Sequence, residues 1–164
     1  MSGQERRSYT EVAMRRAVAI LCLSVLPSWA DGNSWNKIRY SGGTVEAKVN
    51  PFDWNTTLTV TPGGIVLTFG PRAGLRLKPD QVTALSYGQE AHRRVADMVA
   101  LSLVATPIAL FGLLHKSTTH FVGIEYKTEA GKAGAVLLEA DKNNYRAILA
   151  ALKVVTGKPV QNAP

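Results

Sequence analysis

The sequence predicts an α+β domain: a small bent antiparallel sheet or split barrel, interrupted by a long apolar helix and closed by a C-terminal capping helix. Three observations predict it. Short β-rich runs alternate with Pro- and Gly-containing turns from Leu58 to Phe69, and again from His120 to Glu139. Between these regions stands VADMVALSLVATPIALFGLL, Val95 to Leu114, whose one charge is Asp97. Finally, KNNYRAILAALKVVT (Lys142 to Thr156) sets Tyr145, Ile148, Leu149, Leu152 and Val155 or Thr156 on a single helical stripe.

Composition narrows the class. A length of 164 residues fits one domain, and an apolar fraction of 46% suits a globular chain and excludes a disordered one. The formal charge of +7 arises from 19 Lys and Arg against 12 Asp and Glu. These cations are scattered, with no aromatic-interleaved patch, so nucleic acid is not an expected partner. Anionic lipid is compatible with the charge.

The first 30 residues have the order of a secretory signal peptide. Arg6, Arg7, Arg15 and Arg16 precede a short apolar core from Ala17 to Leu26, and Ser28 and Ala30 supply small residues at a cleavage position. That core is too short to span a bilayer. Cys22, the single cysteine, lies inside it and leaves with the leader. The expected product is an exported domain over 31–160, in the periplasm, the cell envelope or the extracellular space. Residues 161–164 form a tail.

The elements follow in order. Asn36 to Tyr40 and Thr44 to Val49 are short extended segments around a Ser41-Gly42-Gly43 turn, or one strand interrupted by it. Trp35, Tyr40, Phe52 and Trp54 either close a core or form an aromatic platform. LTVT, Pro62-Gly63-Gly64 and IVLTF make a hairpin. Leu75 to Lys78 alternates apolar and basic residues, Pro79-Asp80 turns, and Gln81 to Tyr87 is a further strand. Ser86 and Gln89 have capping-box spacing, which starts the apolar helix over 87–115. HFVGIEY and Ala133 to Glu139 form the second hairpin, in which Glu125 and Glu139 read as solvated strand positions, with an acid pair facing across the hairpin as the alternative. Asp141 is the expected N-cap of the last helix and Gly157 its C-terminal stop.

The apolar helix poses the physical problem. From Met98 to Leu114 no residue is charged, and a helix there would span roughly 26 Å. A helix greasy on nearly every face cannot lie half in water, so protein or lipid has to cover it. Ala96 with Ala100, and Ala105 with Ala109, give small-residue strips for close helix approach. Asp97 and Pro107 are easier to satisfy beside protein groups than in lipid. The candidate interface is therefore Val99, Leu103, Leu110 and Leu114. His92, Arg93 and Arg94 at the helix start are the candidate polar contact, with Glu90–Arg94 and Arg93–Asp97 as ion pairs along the helix.

Catalytic motifs are sparse. The sequence contains no HExxH, CxxC or GxSxG pattern, and its Gly-rich stretches have turn chemistry rather than the form of a phosphate cradle. His92 and His115 stand near opposite ends of the expected helix. No cofactor or metal is implied.

The stretches LTVTPGGIVLTF, VTALSYG, HFVGIEYKTEAGKAGAVLLEA and NNYRAILAALKVVTGKP together resemble the pleckstrin-homology-like or GRAM-like superfold. The resemblance implies a bent sheet or split barrel capped by a C-terminal helix. YGQEAHRR with the following apolar helix also resembles an exported bacterial family, a likeness that carries no activity. Long apolar insertions and leaders are foreign to the superfold, so headgroup binding does not transfer from it. The leading expectation is an exported, non-catalytic scaffold or interaction protein that self-associates through its apolar helix as a homo-oligomer. The alternatives are an envelope protein touching anionic headgroups, and an enzyme whose site assembles between subunits from His92, Arg93, Glu90 and Asp97.

Overall fold

The computed structural model describes residues 33–50, 52–101 and 119–162. Among them the fold is α+β, an open sheet with two helices. The strands are β1 (Asn33–Gly43), β2 (Thr56–Thr61), β3 (Gly64–Phe69), β4 (Arg72–Leu77), β5 (Val82–Tyr87), β6 (His120–Lys127), β7 (Ala133–Ala140) and β8 (Val160–Gln161). Helix α1 (Gly88–Ala100) follows β5, α2 (Tyr145–Thr156) follows β7, and a 3-10 turn, Pro79–Gln81, links β4 to β5. The eight described strands form one sheet in the order β4-β3-β2-β1-β7-β6-β5-β8. All neighbours are antiparallel except β5 and β8.

Strand β1 joins the two hairpin regions, pairing with β2 along its first half and with β7 along its second. It runs straight through Ser41-Gly42-Gly43, which the sequence marks as a turn. The register shifts between Tyr40 and Gly42, so Ser41 is the extra residue of a bulge inside the strand. Gly43 has φ +150°, and a Cβ there would collide with the Ala135 carbonyl oxygen. Glycine is therefore required for β1 to approach β7. Residues 45–49, expected as a strand, lie outside the sheet. They still alternate, with Val45, Ala47 and Val49 packed against the core while Glu46 and Lys48 are exposed.

The PGG hairpin forms with Thr61 opposite Gly64. Helix α1 starts where expected but not by the expected cap. Ser86 belongs to β5 and is buried, Tyr87 is the N-cap, and no side chain caps the helix. Gly88 at φ +67° provides the reversal from strand to helix.

Two clusters form the interior. The larger joins Leu58, Ile65, Leu67, Leu85, Ile124 and Leu138 to the α2 stripe of Tyr145, Ile148, Leu149 and Leu152. The smaller lies on the other side of β6 and β7, where Ala91, Val95 and Val99 of α1 meet Phe121, Ala135 and Leu137. Val122, Ile124 and Tyr126 thus face one cluster and Phe121 the other, so the central hairpin is buried on both faces. Sequence alternation suggested a single apolar face for β6.

Helix α2 begins three residues later than Asp141 implies. Asp141 instead turns the chain: its Oδ1 accepts the Asn143 N–H at 2.9 Å, and its carbonyl accepts from Asn144 and Tyr145. That backbone hydrogen bond holds its carboxyl below the usual aspartate range. Gly157 stops the helix as expected, at φ +67° with its N–H on the Lys153 carbonyl. Val160 and Gln161, the second of them expected in a tail, pair with Leu85 and Ser86 as β8.

Because Leu152 is fully buried between α2 and the sheet, Leu152→Ala is expected to lower unfolding free energy by about 2–5 kcal/mol. Urea denaturation of the variant checks this value.

Candidate functional site

Helix α1 carries the residues singled out from the sequence, and its pattern separates them. Its buried face is Ala91, His92, Val95 and Val99, while Gln89, Arg93, Asp97 and Ala100 are exposed. The described part of the apolar helix is thus amphipathic and lies on its own sheet. Val99, a candidate interface residue, is covered by Phe121, Ala135 and Leu137 of the same chain. Leu103, Leu110 and Leu114 lie outside the described residues, as do Pro107, His115 and the leader. Leu101, the helix C-cap, is 85% exposed where the uncharged run continues.

The expected polar trio does not act as one group. His92 is 4% exposed and meets the Phe121 ring edge-on at 5.9 Å between centroids. Burial pushes its pKa below the ordinary histidine value. It faces the sheet because position 92 shares a helix face with Val95 and Val99, one of them three residues on. Arg93 points outward and binds Glu90 at 2.6 Å, an i,i+3 pair in place of the expected pairing with Asp97. That hydrogen bond lowers the Glu90 pKa.

Arg94 is the structural member of the set. Its Nε and Nη2 donate to both carboxylate oxygens of Glu125, the second at 3.0 Å, and its Nη1 donates to Gln161 Oε1 at 2.8 Å. Glu90, the partner expected from helical spacing, is 4.0 Å away. One guanidinium therefore ties α1 to β6 and β8. Hydrogen bonding to Glu125 raises the Arg94 pKa despite partial burial.

A second junction lies where the chain re-enters the sheet. Tyr87 Oη and His120 Nδ1 are hydrogen-bonded at 2.7 Å, and the His120 ring stacks on Tyr145 at 3.9 Å with planes 5° apart. Arg146 Nε donates to Tyr145 Oη at 2.9 Å. Burial, then the neighbouring Tyr145, pushes the Tyr87 phenol up. The first turns of α1 and α2 and the start of β6 are joined by this stack.

The other candidates disperse. Glu125 lies opposite Ala135 and Glu139 opposite Phe121, so the two acids do not face each other. Glu139 instead binds Arg39 at 3.3 Å, and the Arg39 guanidinium lies 4.1 Å over the Trp54 ring. Tyr40 packs on Phe69 in the core while Phe52 and Trp54 are exposed, so the four aromatics make no common platform. His92 faces inward while Arg93 and Asp97 face outward, which divides the groups considered for an intersubunit active site. Among the described residues, no group of three or more His, Cys, Asp or Glu side chains is placed to hold a metal ion. No helix among them is long and apolar enough to cross a membrane, which leaves strand-built barrels unaddressed.

Sequence reasoning missed Glu125 and Gln161 as partners of Arg94. The available signal was a lone acid in the apolar strand HFVGIEY, where a buried carboxylate needs a cation.

No protein-family model matches the chain, and no curated protein matches it. Among solved structures, a chain from the structure of the Spt16D Pob3N heterodimer is similar, with a TM-score of 0.48 and 10% identity. The match covers 81% of this chain and 54% of that one, so this chain spans about half the length of its counterpart.

Two outcomes follow from this geometry. Glu125→Ala leaves Arg94 without its main partner and is expected to cost about 1–3 kcal/mol, a range held down by the partial exposure of Arg94; urea midpoints measure it. For His92, the unfolded chain titrates near 6.5 and the folded chain lower, so protons bind preferentially to the unfolded state. Stability is expected to be complete above 6.5 and to fall as pH drops through that window. The loss between pH 7.5 and 5.5 should be smaller in His92→Leu, as urea midpoints at the two pH values will report.

Proposed function

We propose that this protein is an exported, non-catalytic scaffold that self-associates through the uncharged run beyond Leu101. The observation that carries this reading is the exposed Leu101 side chain at the end of α1, with 13 further uncharged residues up to Leu114. The interior of the domain is already filled by Val95 and Val99 on one side and α2 on the other. A second copy of the same run is the cover of matching chemistry.

Chain connectivity supports protein over a membrane span as the cover. Tyr87 of β5 pairs with Val122 of β6, so the chain leaves and returns to one sheet on one side of any bilayer. Two helical crossings would need about 40 residues, and only residues 102–119 are available. Headgroup contact at the start of α1 draws less support, because Arg93 and Arg94 already have carboxylate partners.

We also read the sheet as a pleckstrin-homology-like split barrel. The ion pair of Lys78 and Glu129, at 2.8 Å, brings the end of β4 to the β6–β7 turn, and α2 caps the larger core. Both features support a sheet that curls toward closure.

In detergent-free solution the exported chain is expected to scatter light as a particle larger than a monomer. Leu103→Asp combined with Leu110→Asp should reduce the particle to one chain. A wild-type monomer, or a variant of unchanged mass, would sink the proposal.

A further inference from the structure

We propose that the free edge of β4 is a docking slot for an acidic extended peptide, which adds to the sheet as one more strand. Strand β4 ends the strand order and pairs with β3 alone among the described strands. Edge peptide groups of this kind are ready to bond a guest backbone. The edge does not face open water along its length, because two clefts of about 430 and 460 Å³ border it. At its start, Arg72 and Gly74 lie across the first cleft from residues 45–49, with Phe69 lining it. At its end, Leu75, Leu77 and Lys78 share the second cleft with Tyr126 and Thr128. A concave wall thus stands opposite both ends of β4.

Charge selects the guest. Leu77 is buried and Leu75 half-buried, whereas Arg76 and Lys78 are exposed on the other face; the register shift at Gly74 puts Arg72, also exposed, opposite Phe69 on the side of the leucines. On the facing wall Lys48 and Glu46 offset each other, and Glu129 at the second cleft is already bound by Lys78, so β4 supplies the net charge. That ion pair is 65% and 76% exposed, so it is weak and yields readily to a competing carboxylate. A guest with acids at every second position meets Arg76 and Lys78 on one face, while its intervening apolar side chains lie on the face of Leu75 and Leu77. A second copy of β4 fits poorly, since arginine would face arginine. Cations on an edge are a usual defence against stray pairing; here they turn that defence into a preference for acidic strands.

The test titrates the full chain against a capped, fluorescent Val-Glu-Val-Glu-Val-Glu peptide, read by polarisation, with Val-Lys-Val-Lys-Val-Lys as the counterpart. The acidic peptide alone is expected to bind saturably. Binding should weaken about tenfold or more in Arg76→Glu with Lys78→Glu, and amide exchange in β4 should slow in the complex. If the double reversal does not fold, Arg76→Gln with Lys78→Gln supplies the same comparison. No saturation below about 1 mM, equal binding of the lysine peptide, unchanged affinity in the variants, or binding without protection of β4 would each overturn the proposal. Particle mass is unaffected by these substitutions, so the result stands apart from the self-association reading.

Discussion

The whole arrangement depends on the β6–β7 hairpin being dry on both faces. Val122, Ile124, Val136 and Leu138 look into the larger core, while Phe121, Ala135 and Leu137 look the other way. A strand pair apolar on both sides needs two covers, and the chain provides α2 for one and α1 for the other. This demand explains why α1 lies flat on the sheet, and why Gly123 is glycine: a Cβ there would press on Ser86 Oγ and the Ala91 side chain. The remaining strands extend the layer outward from this hairpin through β1 and β5.

Charge in so apolar a setting is admitted only in pairs. Glu125 reaches the α1 side of β6 and is met by Arg94, and Glu139 on the same side of β7 is met by Arg39. Each arginine keeps part of its surface in water, so its desolvation is modest, while each carboxylate is more deeply covered. These bridges contribute orientation more than raw stability. Arg94 in particular sets the position of α1 relative to β6, and through Gln161 it binds the short β8 strand to the same anchor.

Much of the fold was legible from residue pattern. The PGG turn, the return strand after Gly131, the α2 stripe and the Gly157 stop all stand where local chemistry places them, because each depends on neighbours a few residues away. The failures involve partners far along the chain. Ser41-Gly42-Gly43 has the composition of a turn, yet β7, more than 90 residues onward, holds it as a bulged strand. Ser86 and Gln89 satisfy cap spacing, but pairing with Gly123 commits Ser86 to β5. At the candidate site, helical spacing named Glu90 for Arg94, whereas the stronger partner came from β6. His92 was grouped with its charged neighbours in sequence, although its helical angle sets it among valines. The run after Leu101 was visible only as an absence of charge, which shows a need for cover without naming what supplies it.

The pairing of β1 with β7 sets a timetable for synthesis. The inner edge of β1 has no partner until residues 133–140 have emerged, more than 90 residues later. Until then the nascent polypeptide can make the β2–β3–β4 meander but cannot close its central seam. Such dependence on remote contacts slows folding, and it leaves the inner edge of β1 open to wrong pairings until β7 arrives.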